Sequence, residues 1–117
     1  VGVPLLSTHD GNEFVLDPEA VIAAIGPATR AVLVHMPGNP CGNIIPSKTL
    51  ETLAAYCRKA AIWFVCDEVY SLITFDGPHY SALRAAQDLS NVVVIDGLSK
   101  SHAMSGSRVG GGPGRAG

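Results

Sequence analysis

Three short apolar runs set the rhythm of this chain. Ala31-Val32-Leu33-Val34-His35, Ile62-Trp63-Phe64-Val65-Cys66 and Val92-Val93-Val94-Ile95 are rich in β-branched and aromatic side chains. Each predicts a strand, and the lack of polar alternation predicts burial on both faces. Between the first two, Leu50, Leu53, Ala54 and Cys57 recur at the spacing of one helical stripe. That helix is expected to start at Pro46-Ser47 with Ser47 as its cap, leaving Lys48, Glu51, Arg58 and Lys59 in water. Upstream, Asp17-Pro18-Glu19 is a helix beginning, with Asp17 as cap and Pro18 at the first helical position. Ala20, Val21, Ala24 and Ile25 supply its apolar face, and Gly26-Pro27 stops it. Ser81 to Asp88 reads as a weaker helix. Leu72 to Phe75 reads as a short extended stretch closed by Asp76-Gly77-Pro78, residues 1–6 as a strand, and Ser7 to Glu13 as a polar turn. Strand, helix, strand, helix, strand with no hairpin signal between the strands calls for right-handed crossovers. The predicted class is α/β, a mostly parallel sheet with helices on both faces.

Composition narrows the function classes. At 117 residues with 47% hydrophobic content the chain makes one domain at most, with a sizeable core. A formal net charge of −2 without a basic run leaves no electrostatic footprint for nucleic acid or an anionic membrane. The apolar runs fall short of the roughly 20 residues of a spanning helix, and no targeting pattern opens the chain. A soluble, cytoplasmic protein is expected. Cys41, Cys57 and Cys66 form no Cys-x-x-Cys pair, which points to reduced, mostly packed thiols and not to a disulfide framework or zinc site. His9, His35, His79 and His102 show no ligand spacing, and Trp63 and Met104 read as core.

In a parallel sheet the residues just after each strand meet on one edge. Here those are Asn39 and Pro40, then Asp67 and Tyr70, then Lys100, with Arg108 farther along the same Gly/Ser-rich segment. An amine and a guanidinium close together suit an electrophile that also carries an anion. Asp67 and Glu68 are sequence neighbours, so only one of them faces that edge, which argues against a metal pair. A nucleotide P-loop fails because Ser99 and Val94 stand where glycines are required. Gly110 to Arg115 likewise does not satisfy the dinucleotide fingerprint.

The stretch Gly97-Leu98-Ser99-Lys100, followed by Gly106, Arg108 and Gly110, resembles the cofactor-lysine signature of the class I/II aminotransferases. These are fold-type I enzymes that use pyridoxal 5'-phosphate. Asn39-Pro40-Cys41-Gly42 and Asp67-Glu68-Val69-Tyr70 are similar to two further signatures of that family, in the family's order. The resemblance runs to Gly110. It implies that residues 1–110 are part of the large cofactor-binding domain and that 111–117 are a Gly-rich tail, truncated or disordered. It further implies transamination between an amino acid and a 2-oxo acid through a Schiff base on Lys100.

The other roles follow by the same resemblance. Asp67 keeps the cofactor ring nitrogen protonated, because a carboxylate beside it favours the charged form. Tyr70 and Asn39 donate to the phenolic oxygen. Arg108 holds the phosphate bidentately, with Ser99 as a hydroxyl donor. The catalytic set is thus Lys100, Asp67 and Tyr70, and no metal is called for. Three departures stand out: Gly97 replaces a phosphate-binding Ser, Ser107 stands where relatives carry an aromatic, and Cys41 replaces Thr. The competing readings are a lyase of the same fold and the aminotransferase-like sensing domain of a regulator. The resemblance also implies a homodimer for the full-length protein and inactivity for this segment alone.

Overall fold

The structure, a computed structural model, describes residues 8–9, 11, 14–75 and 77–112. The strand predicted over residues 1–6 lies outside them, as does Asp76 of the predicted turn. Within the stretch expected to be a polar turn, β1 (Thr8–His9) instead pairs antiparallel with β2 (Phe14–Val15). Helix α1 (Pro18–Ala23) begins as expected. Asp17 Oδ1 accepts the Glu19 amide at 3.0 Å, and Pro18 brings no N–H to be left unpaired. Its inward face differs from the prediction, for Val21, Ile22 and Ile25 pack while Ala20 and Ala24 are exposed. The branched side chains remove more apolar area from water than alanine does.

The three predicted strands are present as β3 (Ala31–His35), β4 (Trp63–Asp67) and β5 (Val92–Gly97), all parallel. Helix α2 (Ser47–Lys59) joins β3 to β4, and the one-turn α3 (Ala82–Ala85) lies between β4 and β5. Pro46, not Ser47, occupies the cap of α2 and makes no side-chain bond there. Ser81 does cap α3, accepting from the Leu83 amide at 3.2 Å. Leu72 to Phe75 forms no strand. Ser71 N–H donates to Glu68 O and Ile73 N–H to Tyr70 O, so the chain turns at once and leaves Phe75 92% exposed.

After β5 come a one-turn helix α4 (Leu98–Ser101), a 3-10 turn (Ser105–Ser107) and β6 (Gly110–Gly111), which returns antiparallel to β5. The sheet order is β3-β4-β5-β6. Gly111, expected in a disordered tail, is therefore paired with Asp96, whereas 113–117 lie outside the described residues. Glycine is needed for this return: a Cβ at Gly110 would come within 3.1 Å of Asp96 O, and one at Gly112 would collide with Val94 O.

Burial is one-sided. Val32, Phe64 and Val92 line up across the sheet, as do Val34, Cys66 and Val94, and both rows face Val21 of α1, Leu50, Leu53, Ala54 and Cys57 of α2, and Ala82 and Ala85 of α3. Each fully buried Leu or Phe in that layer contributes roughly 1.5–3 kcal/mol. On the other side Leu33 is 66% and Trp63 50% exposed, so Trp63 is not core, and neither is the exposed Met104. The helices α1 to α3 all serve one face; the burial expected on both faces of β3 to β5 is absent among the described residues. No helix among them is long and apolar enough to cross a membrane.

Candidate functional site

Parallel pairing puts the carboxyl ends of β3, β4 and β5 on one edge, and the register sets which side chains meet there. His35 and Asp67 are paired at the last positions of β3 and β4, with the Met36 amide donating to Asp67 O at 2.9 Å. Both project to the open side of the sheet. Asp67 Oδ1 accepts the Val69 amide at 3.2 Å, and Oδ2 lies 3.2 Å from His35 Nδ1. One residue on, the parity reverses. Glu68 is 3% exposed and turns into the core side, where Oε1 accepts from Ala82 N–H at 2.8 Å and from the Ser81 hydroxyl at 3.2 Å. Its Oε2 lies 2.9 Å from His79 Nε2, also buried. Glu68 thus ties the end of β4 to the start of α3, and the expectation that only one of the two carboxylates faces the edge agrees with their placement.

Tyr70 is the meeting point of the open side. Asn39 Nδ2 donates to Tyr70 Oη at 3.1 Å, the His35 ring stands edge-on to the Tyr70 ring at 5.6 Å between centroids, and Lys100 Nζ lies 5.8 Å from the Tyr70 centroid. Lys100 rides on α4 and not on an irregular loop. That single turn is held by Ser101 Oγ donating to Gly97 O at 3.3 Å and by the His102 amide donating to Leu98 O at 3.1 Å. Asn39, Asp67, Tyr70 and Lys100 are therefore brought into one cluster through Tyr70 and His35.

Ser99 and Arg108 form a second, linked group. Arg108 adopts the left-handed region at φ 51°, uncommon for a residue with a side chain, and its Nη1 donates to Ser105 O at 3.1 Å. Ser105 Oγ in turn donates to Ser99 O at 3.1 Å, and the Leu98 amide to Val109 O at 3.3 Å. The Arg108 turn is folded back on α4, close to Lys100 along the chain.

His35 is the site residue that sequence reasoning missed. Its signal was positional: aligning the strands by their buried residues makes His35 and Asp67 register partners on one face. The cysteines divide cleanly. Cys41, beside the Asn39-Pro40 turn, is exposed, whereas burial pushes the Cys57 thiol up to about 11 and raises Cys66 further, with the charge of Glu68 adding to it. Neither buried thiol is a nucleophile.

The chemical types of these side chains fit the groups of pyridoxal phosphate, the cofactor implied by the resemblance. An exposed amine on Lys100 suits an aldehyde, the Asp67 carboxylate a protonated ring nitrogen, and the Tyr70 and Asn39 donors a phenolate oxygen. The Arg108 guanidinium and Ser99 hydroxyl suit a phosphate.

A sequence profile described as aminotransferase class I and II matches residues 2–115. The chain is 42% identical over 110 residues to an arginine–pyruvate transaminase of Pseudomonas aeruginosa, covering 94% of this chain and 27% of that protein. It is 37% identical over 112 residues to an aspartate aminotransferase of Geobacillus stearothermophilus, covering 93% of this chain and 28% of that one. Among solved structures, a double mutant of Thermus thermophilus aspartate aminotransferase superposes with a TM-score of 0.85 at 35% identity. N-succinyldiaminopimelate aminotransferase of Mycobacterium tuberculosis superposes at 0.87 and 27%; each comparison covers 93% of this chain, and 28% and 29% of the respective structure. The chain spans less than a third of the length of each of these relatives.

Proposed function

Because the chain belongs to the class I and II aminotransferases, we propose that it carries the cofactor-holding part of a pyridoxal-phosphate-dependent transaminase acting on an amino acid and a 2-oxo acid. The observation that carries this reading is the cluster around Tyr70, which gathers an amide, a carboxylate and an amine from three strand ends onto one edge. Bound there, the cofactor supplies an electron-withdrawing ring that stabilises negative charge at the substrate's α-carbon.

The protein's own groups set up that chemistry. Lys100 Nζ would hold the aldehyde end of the cofactor, and its amine could take and return a proton at the substrate's α-carbon. Asp67, with one oxygen turned by the Val69 amide, keeps a proton on the ring nitrogen by opposite-charge attraction. Asn39 donates into Tyr70 Oη, so the Tyr70 hydroxyl hydrogen is left to point at the phenolate oxygen. Arg108 has one nitrogen committed to Ser105 O, leaving its other N–H groups to hold the phosphate, with the Ser99 hydroxyl as a further donor. Completion of the pocket by a second subunit in a homodimer, and by residues beyond this segment, belongs to the same proposal.

Borohydride reduction of a full-length polypeptide carrying this segment, loaded with pyridoxal phosphate, tests the assignment. Peptide mass mapping is expected to find the pyridoxyl group on Lys100. A label on any other lysine would overturn it.

A further inference from the structure

His35 has no part in the roles set out above, yet it touches two of the side chains that do. Its Nδ1 stands 3.2 Å from Asp67 Oδ2, and its ring meets the Tyr70 ring edge-on at 5.6 Å. Its place is fixed by register, since His35 and Asp67 are paired at the ends of neighbouring parallel strands. We propose that His35 is a positioning residue of the cofactor pocket, its Nδ1–H orienting the Asp67 carboxylate while its ring braces Tyr70; the inference rests on the cofactor reading above.

The geometry leaves Asp67 few freedoms. Oδ1 is engaged by the Val69 amide and Oδ2 by His35, so both oxygens are aimed before any ligand arrives. A carboxylate facing one imidazole nitrogen favours the tautomer with its proton there, which fixes the ring in turn. The ionisable groups around the imidazole are Asp67 at the end of β4, Tyr70 just after it, and Lys100 of α4 near the Tyr70 ring. A ring wedged between the carboxylate and the phenol couples the two, so displacing it would free both groups at once. A pair with about a third of its side-chain surface in water adds little to stability by itself. Its effect lies in orientation, where small misplacements of catalytic groups cost much.

The test uses a full-length polypeptide carrying this segment, as wild type, His35→Ala, His35→Asn and Asp67→Ala. The Asn amide nitrogen can stand close to where Nδ1 does, so it separates loss of the donor from loss of the ring's fold contribution. Ring nitrogen resonances of the cofactor-free protein are expected to show the proton of His35 on Nδ1, moving toward Nε2 in Asp67→Ala. Affinity for pyridoxal phosphate is expected to fall about tenfold in His35→Ala and to recover to within about threefold in His35→Asn, the scale of losing one hydrogen bond to a charged group. A tautomer unmoved by Asp67→Ala overturns the proposal. So does wild-type affinity in His35→Ala while borohydride still labels Lys100, and in that case the cofactor reading survives alone. Absence of any label on Lys100 in the wild type overturns both.

Discussion

The two sides of β4 and its continuation are built for different ends. Phe64, Cys66 and Glu68 face the helices and are 0%, 0% and 3% exposed, and the Glu68 carboxylate is bonded to the start of α3. Trp63, Val65 and Asp67 alternate with them on the open side, where Trp63 is half in water and Asp67 meets His35 of the neighbouring β3. The contrast is sharpest at Asp67 and Glu68, two like residues joined by one peptide bond. Strand parity alone sends one carboxylate to the candidate chemistry and the other into structural work. A carboxylate in the core layer needs partners for both oxygens, and Glu68 has them from Ser81, Ala82 and His79. A carboxylate at a cofactor edge needs only to be aimed.

On the reading proposed above, the open side becomes a working site only together with the rest of a full-length polypeptide. The 117-residue chain alone is expected to turn over amino acids at least about four orders of magnitude more slowly than a full-length polypeptide carrying it, because orientation and preorganised charge supply most of the rate. Keto-acid formation from aromatic, branched-chain and acidic amino acids, read beside a Lys100→Ala control, measures this. Lys100-dependent turnover at the full-length rate would erase the distinction between an edge that begins a site and one that completes it.

The carboxylate pair gives the next largest effect. In the full-length polypeptide, Asp67→Ala is expected to lower kcat/KM by about a hundredfold or more while changing stability by under about 1 kcal/mol. Glu68→Ala should do the reverse. It strands His79 and the Ala82 amide without an acceptor, which costs about 3 kcal/mol, and the folded fraction should keep its rate. Steady-state kinetics and thermal melts on both variants decide it, and equal kinetic losses would falsify the parity argument.

Packing separates the sides by smaller amounts. Urea unfolding of the chain is expected to lose about 3–5 kcal/mol on Phe64→Ala. Leu33→Ala, on the open side, should stay within about 0.5 kcal/mol. A large loss at Leu33 would mean that the exposed face is covered in solution. Smallest is the effect of the buried thiols. Cys57 keeps its proton up to about pH 11 in the folded chain, against an ordinary value of 9.0, so between those values the unfolded chain ionises first and stability falls as pH rises. Below pH 9 that loss vanishes. Iodoacetamide at neutral pH should modify the exposed Cys41 and spare Cys57 and Cys66 until the chain unfolds.

Much of this was legible in the residues. The runs at 31–35, 62–66 and 92–95 are strands within a residue or two, the stripe Leu50, Leu53, Ala54 and Cys57 is the buried face of α2, and Asp17 and Ser81 start their helices. Asn39, Asp67, Tyr70 and Lys100 do gather, because parallel order puts strand ends together whatever the details of packing. What could not be read was one-sidedness. Leu33 and Trp63 are as apolar as their inward neighbours, so composition gives no alternation to see. Leu72 to Phe75 looks like a strand by residue type, but two turns that begin at Glu68 and Tyr70 bend the backbone first. The pairing of Gly110 and Gly111 was invisible for the opposite reason, since glycine advertises flexibility even where a tight backbone return demands it. His35 required a register, which only aligned strands supply.

The order of the sheet has a bearing on how the chain is made. Strands β4 and β5 each lie beside the strand synthesised just before them, β4 with β3 and β5 with β4, and the helix needed to cover each junction is translated between them. Both β4 and β5 thus emerge to find a neighbour already present, and loop closure spans only the length of one crossover. Contacts of short sequence separation form fastest. The edge bearing Asn39, Asp67, Tyr70 and Lys100 is therefore assembled in the direction of translation, with the lysine the last of the four to arrive.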